Sequence, residues 1–193
     1  MPVEVRTVMM FLHLVSMLFM AAPLYALISA NERSRFTVPP NYNTDRYLEN
    51  LLKHQPIRCF AYLAAIVGTG IVLTWARGWI WTDWALIAKL VASTGIGFLL
   101  TYVHNGIQPN IETILDKLKP GEEVPAEDRA TLMFWRNRRK RLAAVCLFLV
   151  LTALIMGLRV TWGYAPWLVA VFMVAAVLFA WRVYRTPIRF GWF

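Results

Sequence analysis

The chain has 193 residues, of which 59% are hydrophobic, and a formal net charge of +9 from 20 basic and 11 acidic side chains. That length allows one domain, and the apolar fraction exceeds the 45–50% usual for soluble domains. A disordered chain is excluded, two cysteines cannot make a disulfide scaffold, and no Gly- or Ser-rich tract reads as a linker.

Taken in chain order, five stretches are long and apolar enough to cross a bilayer: 7–28, 59–76, 84–103, 142–158 and 164–181. The fold class expected is therefore all-α, a polytopic membrane bundle of five transmembrane helices forming a single integral membrane domain. The first stretch has a longer apolar run than a signal-peptide core and a weak charged flank, Glu4 offsetting Arg6, so it reads as a retained helix. Segment 126–141 can be helical and lead into the fourth span. Segments 29–58 and 104–141 read as the two long loops. Trp75, Trp79, Trp81, Trp84, Trp162, Trp167 and Trp181 stand at expected span ends, as an interfacial aromatic belt requires.

Basic residues set the orientation. Arg33, Arg35, Arg46, Lys53 and Arg58 fall in the first long loop. Lys117, Lys119, Arg129, Arg136, Arg138, Arg139, Lys140 and Arg141 fall in the second, and Arg182, Arg185 and Arg189 in the tail. Only Arg6, Arg77 and Arg159 lie on the opposite side, with Lys89 inside a span. The positive-inside rule then puts the amino terminus outside and the carboxyl terminus in the cytoplasm of a bacterial inner membrane. The run 136–141 reads as a topology anchor on anionic lipid. Nucleic acid is not an expected partner, because no stacking platform or recognition motif accompanies the charge.

Charge within a span is costly and marks a protein interior or cavity. His13 and Lys89 are the ionisable groups well inside the spans; His104 lies near an inner end and His54 just before the second span. From the helical rise, His13 and Lys89 are about 9 and 8 Å below the outer face, so they share a level. His54 and His104 share the inner level. Lys89, Ser93, Gly97 and Thr101 recur every four residues and form one polar, small-residue face of the third span, with His104 in the same arc. Gly68 and Gly70 on the second span allow a similar close approach. Plain alternatives stand beside each: Lys89 snorkelling to headgroups, His13 bonded to a neighbouring carbonyl or hydroxyl, His54 as part of a helix cap, His104 as a helix-end residue. Cys59 and Cys146 read as reduced, inert thiols.

Imidazole binds haem iron, copper or zinc and moves protons. His54 with His104, or His13 with Lys89, match in depth as a b-type haem site in a bundle demands. Lys89 can instead act as a cation beside a carboxylate. No Cys-x-x-Cys-His, Walker loop or dinucleotide-binding glycine motif is present, so covalent haem and nucleotide chemistry are not expected. Met9, Met10, Met17 and Met20 on the first span offer soft thioether ligands to Cu(I).

Phe11-Leu12-His13-Leu14-Val15-Ser16 in the first span, Trp84 to Lys89-Leu90 in the third, and Phe134-Trp135-Arg136 before the fourth resemble a broad group of small bacterial membrane proteins. That group includes the CopD-like copper-resistance domain, the DUF2269-type integral membrane proteins and the HemJ-type protoporphyrinogen oxidase. The resemblance covers about residues 5–160. It departs where the HemJ-type pattern has Trp then Gly and this chain has Met20 and Pro23, and in the distance from Lys89 to His104. The HemJ-type resemblance implies bound haem b with His13 and Lys89 as the functional residues; the CopD-like one implies copper. The expected function is thus a haem b-binding, redox-associated membrane protein. Catalytic roles are expected at His13 and Lys89, cofactor binding at His13, His104 and His54, and metal ligation at His13 and His104. The alternatives are a copper-handling transporter, and a non-catalytic accessory subunit packed on a larger respiratory or photosynthetic complex. Partners expected are the lipid bilayer and other membrane subunits or further copies of the chain.

Overall fold

A computed structural model describes residues 2–32, 42–78, 80 and 82–185. Arg33, Arg35, Trp79, Trp81 and Arg189, used above for orientation and the aromatic belt, lie outside the described residues. Seven α-helices follow in order: α1 Val3–Glu32, α2 Tyr42–Lys53, α3 Gln55–Ala76, α4 Trp84–Tyr102, α5 Gln108–Leu115, α6 Ala126–Trp162 and α7 Pro166–Tyr184. A π-helical turn, Val103–Ile107, joins α4 to α5. There is no β-strand among the described residues. Five of the helical segments are long and apolar enough to cross a membrane, as the hydropathy pattern requires.

Local chemistry sets the helix ends. Asp83 caps α4, its carboxylate accepting from the backbone N–H of Ala85 at 2.8 Å and of Leu86 at 3.4 Å. Pro56 and Pro166 sit in the first turns of α3 and α7, where a missing N–H costs nothing. Gly163 ends α6 in the left-handed region at φ 67° and donates to the Arg159 carbonyl. Replacing Asp83 with Ala should lower unfolding stability in detergent by about 1 kcal/mol, because two first-turn donors lose their acceptor.

α1 packs along α3, α4 along α6, and α7 on α6; contacts of α3 with α4 and of α1 with α6 join the pairs. The main core runs through Met20, Cys59, Leu63, Ile96, Leu147 and Val150. Both cysteines are free and buried there. Much of the outside is large and apolar, including Phe11, Leu18, Val91, Phe98 and Val174. Water would not tolerate a patch of that extent, whereas lipid tails solvate it. Trp75, Trp84, Trp162, Trp167 and Trp181 are exposed at helix ends, the placement favoured by amphipathic rings at headgroup level.

The two long segments between spans are partly helical. Segment 29–58 contains α2 and the first turn of α3, and segment 104–141 contains most of the π turn, α5 and the beginning of α6. α6 reaches back to Ala126, so the fourth span is the upper part of a 37-residue helix. α2 and α5 escape a hydropathy scan because each is short and mixes polar with apolar positions. They are held by charge. Arg46 bridges Glu112 at 3.0 Å and Asp116 at 2.8 Å, and Glu49 of α2 meets Arg139 of α6 in a buried, bidentate pair. Arg139 is therefore not a lipid-facing anchor: it is 6% exposed and satisfied by protein. Ile107, Ile111, Leu115, Val124 and Leu132 form a second small core beneath this end.

Candidate functional site

His13 and Lys89 meet. Lys89 Nζ lies 3.0 Å from His13 Nε2, joining α1 to α4. His13 is 6% exposed, and on its other side Nδ1 lies 2.9 Å from Thr69 Oγ1 on α3. The direction of these bonds follows from their neighbours. Thr69 donates its single hydroxyl proton to the Ala65 carbonyl at 2.6 Å, so towards His13 it accepts. His13 Nδ1 therefore carries the proton, and Nε2 presents a lone pair, which accepts from Lys89. This assignment comes from the bonding network. The result is a directed chain: Lys89 to His13 to Thr69 to the α3 backbone. Lys89 thus turns inward to a partner and does not snorkel.

Two glycines border the pair, and only Gly70 is close enough that a side chain there would crowd it. A Cβ on Gly70 of α3 would lie 3.3 Å from His13 Cε1, and one on Gly157 of α6 would lie 3.5 Å from Lys89 Nζ. Gly70 thus serves the close approach expected of span two, while a Cβ at Gly68 would meet nothing within 4 Å. Ser93 and Thr101, on the expected polar face of α4, donate to the Lys89 and Gly97 carbonyls of their own helix. Their hydroxyl protons are thus spent locally, and of that face Lys89 is the group that reaches another helix.

The pair faces a cavity of about 170 Å³ between α1, α3, α4 and α6. Its walls are mostly apolar, with Ile66, Leu86 and Leu158 among them, and its polar edge is made by His13, Lys89, Thr74, Ser93 and Thr161. Met10 and Met17, one turn to either side of His13, line the same space. A histidine, a long amino side chain and two thioether side chains thus line one apolar chamber.

The other two histidines are elsewhere and line neither this chamber nor a second, smaller one described below. His54 is exposed at the start of α3 and makes no side-chain cap bond. His104 is half-buried in the π turn, its Nδ1 buried without a partner. Among the described residues no three His, Cys, Asp or Glu side chains gather as a metal group.

Thr69 and Gly157 were not singled out by the sequence. A threonine beside glycines on a span is the usual dress of a packing face, and Gly157 declares itself only when α6 is rotated onto α4. Compared with known proteins, the chain matches no family model, no curated protein and no solved structure.

Proposed function

We propose that the protein is a haem b-binding, redox-associated protein of a bacterial inner membrane, with the chamber at His13 and Lys89 as its cofactor site. The observation that carries this reading is the setting of His13, with Thr69 Oγ1 at 2.9 Å from Nδ1 and Lys89 Nζ at 3.0 Å from Nε2. Metal-binding histidines are characteristically oriented by donating their other ring N–H to a neighbour, and His13 does this to Thr69. The nitrogen left with its lone pair is Nε2, on the side of Lys89 and the chamber. Apolar walls suit a macrocycle face, and Lys89, as a cation, suits a propionate carboxylate. Haem would supply one-electron chemistry there; His13 would hold it, Lys89 would receive its acidic edge, and Thr69 would keep the ring of His13 in register. Because Lys89 donates to Nε2, it would have to swing off that nitrogen for His13 to hold the cofactor. The distribution of basic residues supports an amino terminus outside and a carboxyl terminus in the cytoplasm.

The test is the visible spectrum of the protein purified in detergent after expression with ample haem. A reduced-minus-oxidised b-type band is expected, and His13→Ala should abolish it while leaving the folded bundle intact by circular dichroism. A haem-free wild type, or a band unchanged in His13→Ala, overturns the reading.

One observation favours copper handling as a second reading. Met10 and Met17 share the chamber with His13, and thioether with imidazole is a soft donor set fit for Cu(I). Stoichiometric copper by elemental analysis, lost on combined Met10→Leu and Met17→Leu, would decide for it. Absence of haem and copper together with stable co-purifying membrane subunits would favour the accessory role.

A further inference from the structure

A second cavity, of about 60 Å³, lies on the same four helices, nearer the end where α2 and α5 dock. Met20, Cys59, Ile96, Ala143, Cys146 and Val150 form its apolar wall, and Gln108 and Arg139 its polar end.

Arg139 is unusual in this chamber. Its guanidinium is locked: Nη1 donates to Glu49 Oε1 and, at 2.9 Å, to Gln108 Oε1, and Nη2 donates to Glu49 Oε2 at 3.1 Å. Gln108 is itself fixed by donating to Glu49 at 2.9 Å and Glu112 at 3.1 Å. One nitrogen is left without any partner. Arg139 Nε is buried without a partner, on a side chain only 8% exposed. Leaving a buried donor unmatched is unfavourable, and a guanidinium this constrained cannot turn to repair it. An apolar slot whose polar end includes a fixed arginine with an unused N–H suits an apolar body ending in an acceptor oxygen.

We infer that this inner chamber is a second binding site, for a lipophilic molecule headed by a carbonyl oxygen, with Arg139 as its polar anchor. A quinone ring and the ester of a lipid acyl chain share that chemistry. The site is separate from His13 and Lys89 and does not depend on what they bind.

The experiment is organic extraction of the detergent-purified protein, with quinones and acyl lipids quantified by mass spectrometry against a detergent-matched control membrane protein. About one equivalent of one such molecule per chain is expected, and its identity decides between quinone and lipid. Ala143→Leu fills the slot without touching the guanidinium and should reduce retention about tenfold. Arg139→Lys keeps a positive charge opposite Glu49 but removes the Nε donor, and should also reduce retention. His13→Ala should leave it unchanged, so failure here is distinguishable from failure of the haem reading. A wild type that retains neither class above the control, or an Ala143→Leu variant that retains as much as wild type, overturns the inference.

Discussion

Replacing Glu49 with Ala should destabilise the protein by about 3–5 kcal/mol, the cost of removing one partner from a buried ion pair. Glu49 is 1% exposed and answers Arg139 directly, with Arg136 at 3.7 Å. Without it the buried Arg139 loses its carboxylate partner, and among the described residues Gln108 is the acceptor still bonded to it. Unfolding of the detergent-solubilised variant checks the magnitude. Two comparisons separate this cause from a general loss of α2. Arg46→Ala, which breaks pairs with Glu112 and the exposed Asp116, should cost no more than about 1 kcal/mol. The double replacement Glu49→Met with Arg139→Met removes both charges at once, and should recover most of the loss. If the double variant were as unstable as Glu49→Ala, the uncompensated cations would not be the reason.

Lys89→Met should weaken a carboxylate-bearing ligand of the His13 chamber by on the order of tenfold to a hundredfold, since a hydrogen bond to a charged group contributes about 1.5–3 kcal/mol. Methionine keeps the length of the side chain and much of its bulk beside Gly157, so the chamber keeps its shape. The informative control is the ligand with its acid groups masked. Under the haem reading, the dimethyl ester of haem should bind wild type and Lys89→Met alike, or bind the variant better, because Nε2 of His13 is no longer capped by Lys89. Haem itself should discriminate between them. Parallel titrations followed by the visible band measure both. Equal loss for acid and ester would show that Lys89 shapes the chamber without pairing with a carboxylate.

The spans were legible in the sequence because a bilayer imposes a length and an apolarity that a single chain displays openly. The shared depth of His13 and Lys89 followed from helical rise alone, and their side chains meet at 3.0 Å. Rotation of helices about their axes is not written in hydropathy, so nothing marked Thr69 as the acceptor behind His13 or Gly157 as the gap beside Lys89. The docking end was harder to read. Arg139 stands in a basic run that looks solvated, and its partner is 90 residues away in a helix too short and polar to register. A positive-inside count assigns such an arginine to the lipid headgroups; only the fold shows that Glu49 has claimed it. His54 and His104 matched in depth as well, yet neither lines a chamber. Depth is a necessary condition for a shared site, and the azimuth around each helix supplies the rest.

Thr69 also limits how protons can travel. Its hydroxyl hydrogen is committed to the Ala65 carbonyl, one turn back on α3, and a backbone amide offers no further carrier. The chain from Lys89 through His13 is therefore a cul-de-sac: a proton reaching the imidazole from Lys89 has no exit through α3. Traffic must enter and leave on the chamber side, by way of Lys89 or whatever molecule occupies the cavity. Under the proposed reading, protonation of the pair would then track occupancy of the chamber, with no step of it running through α3.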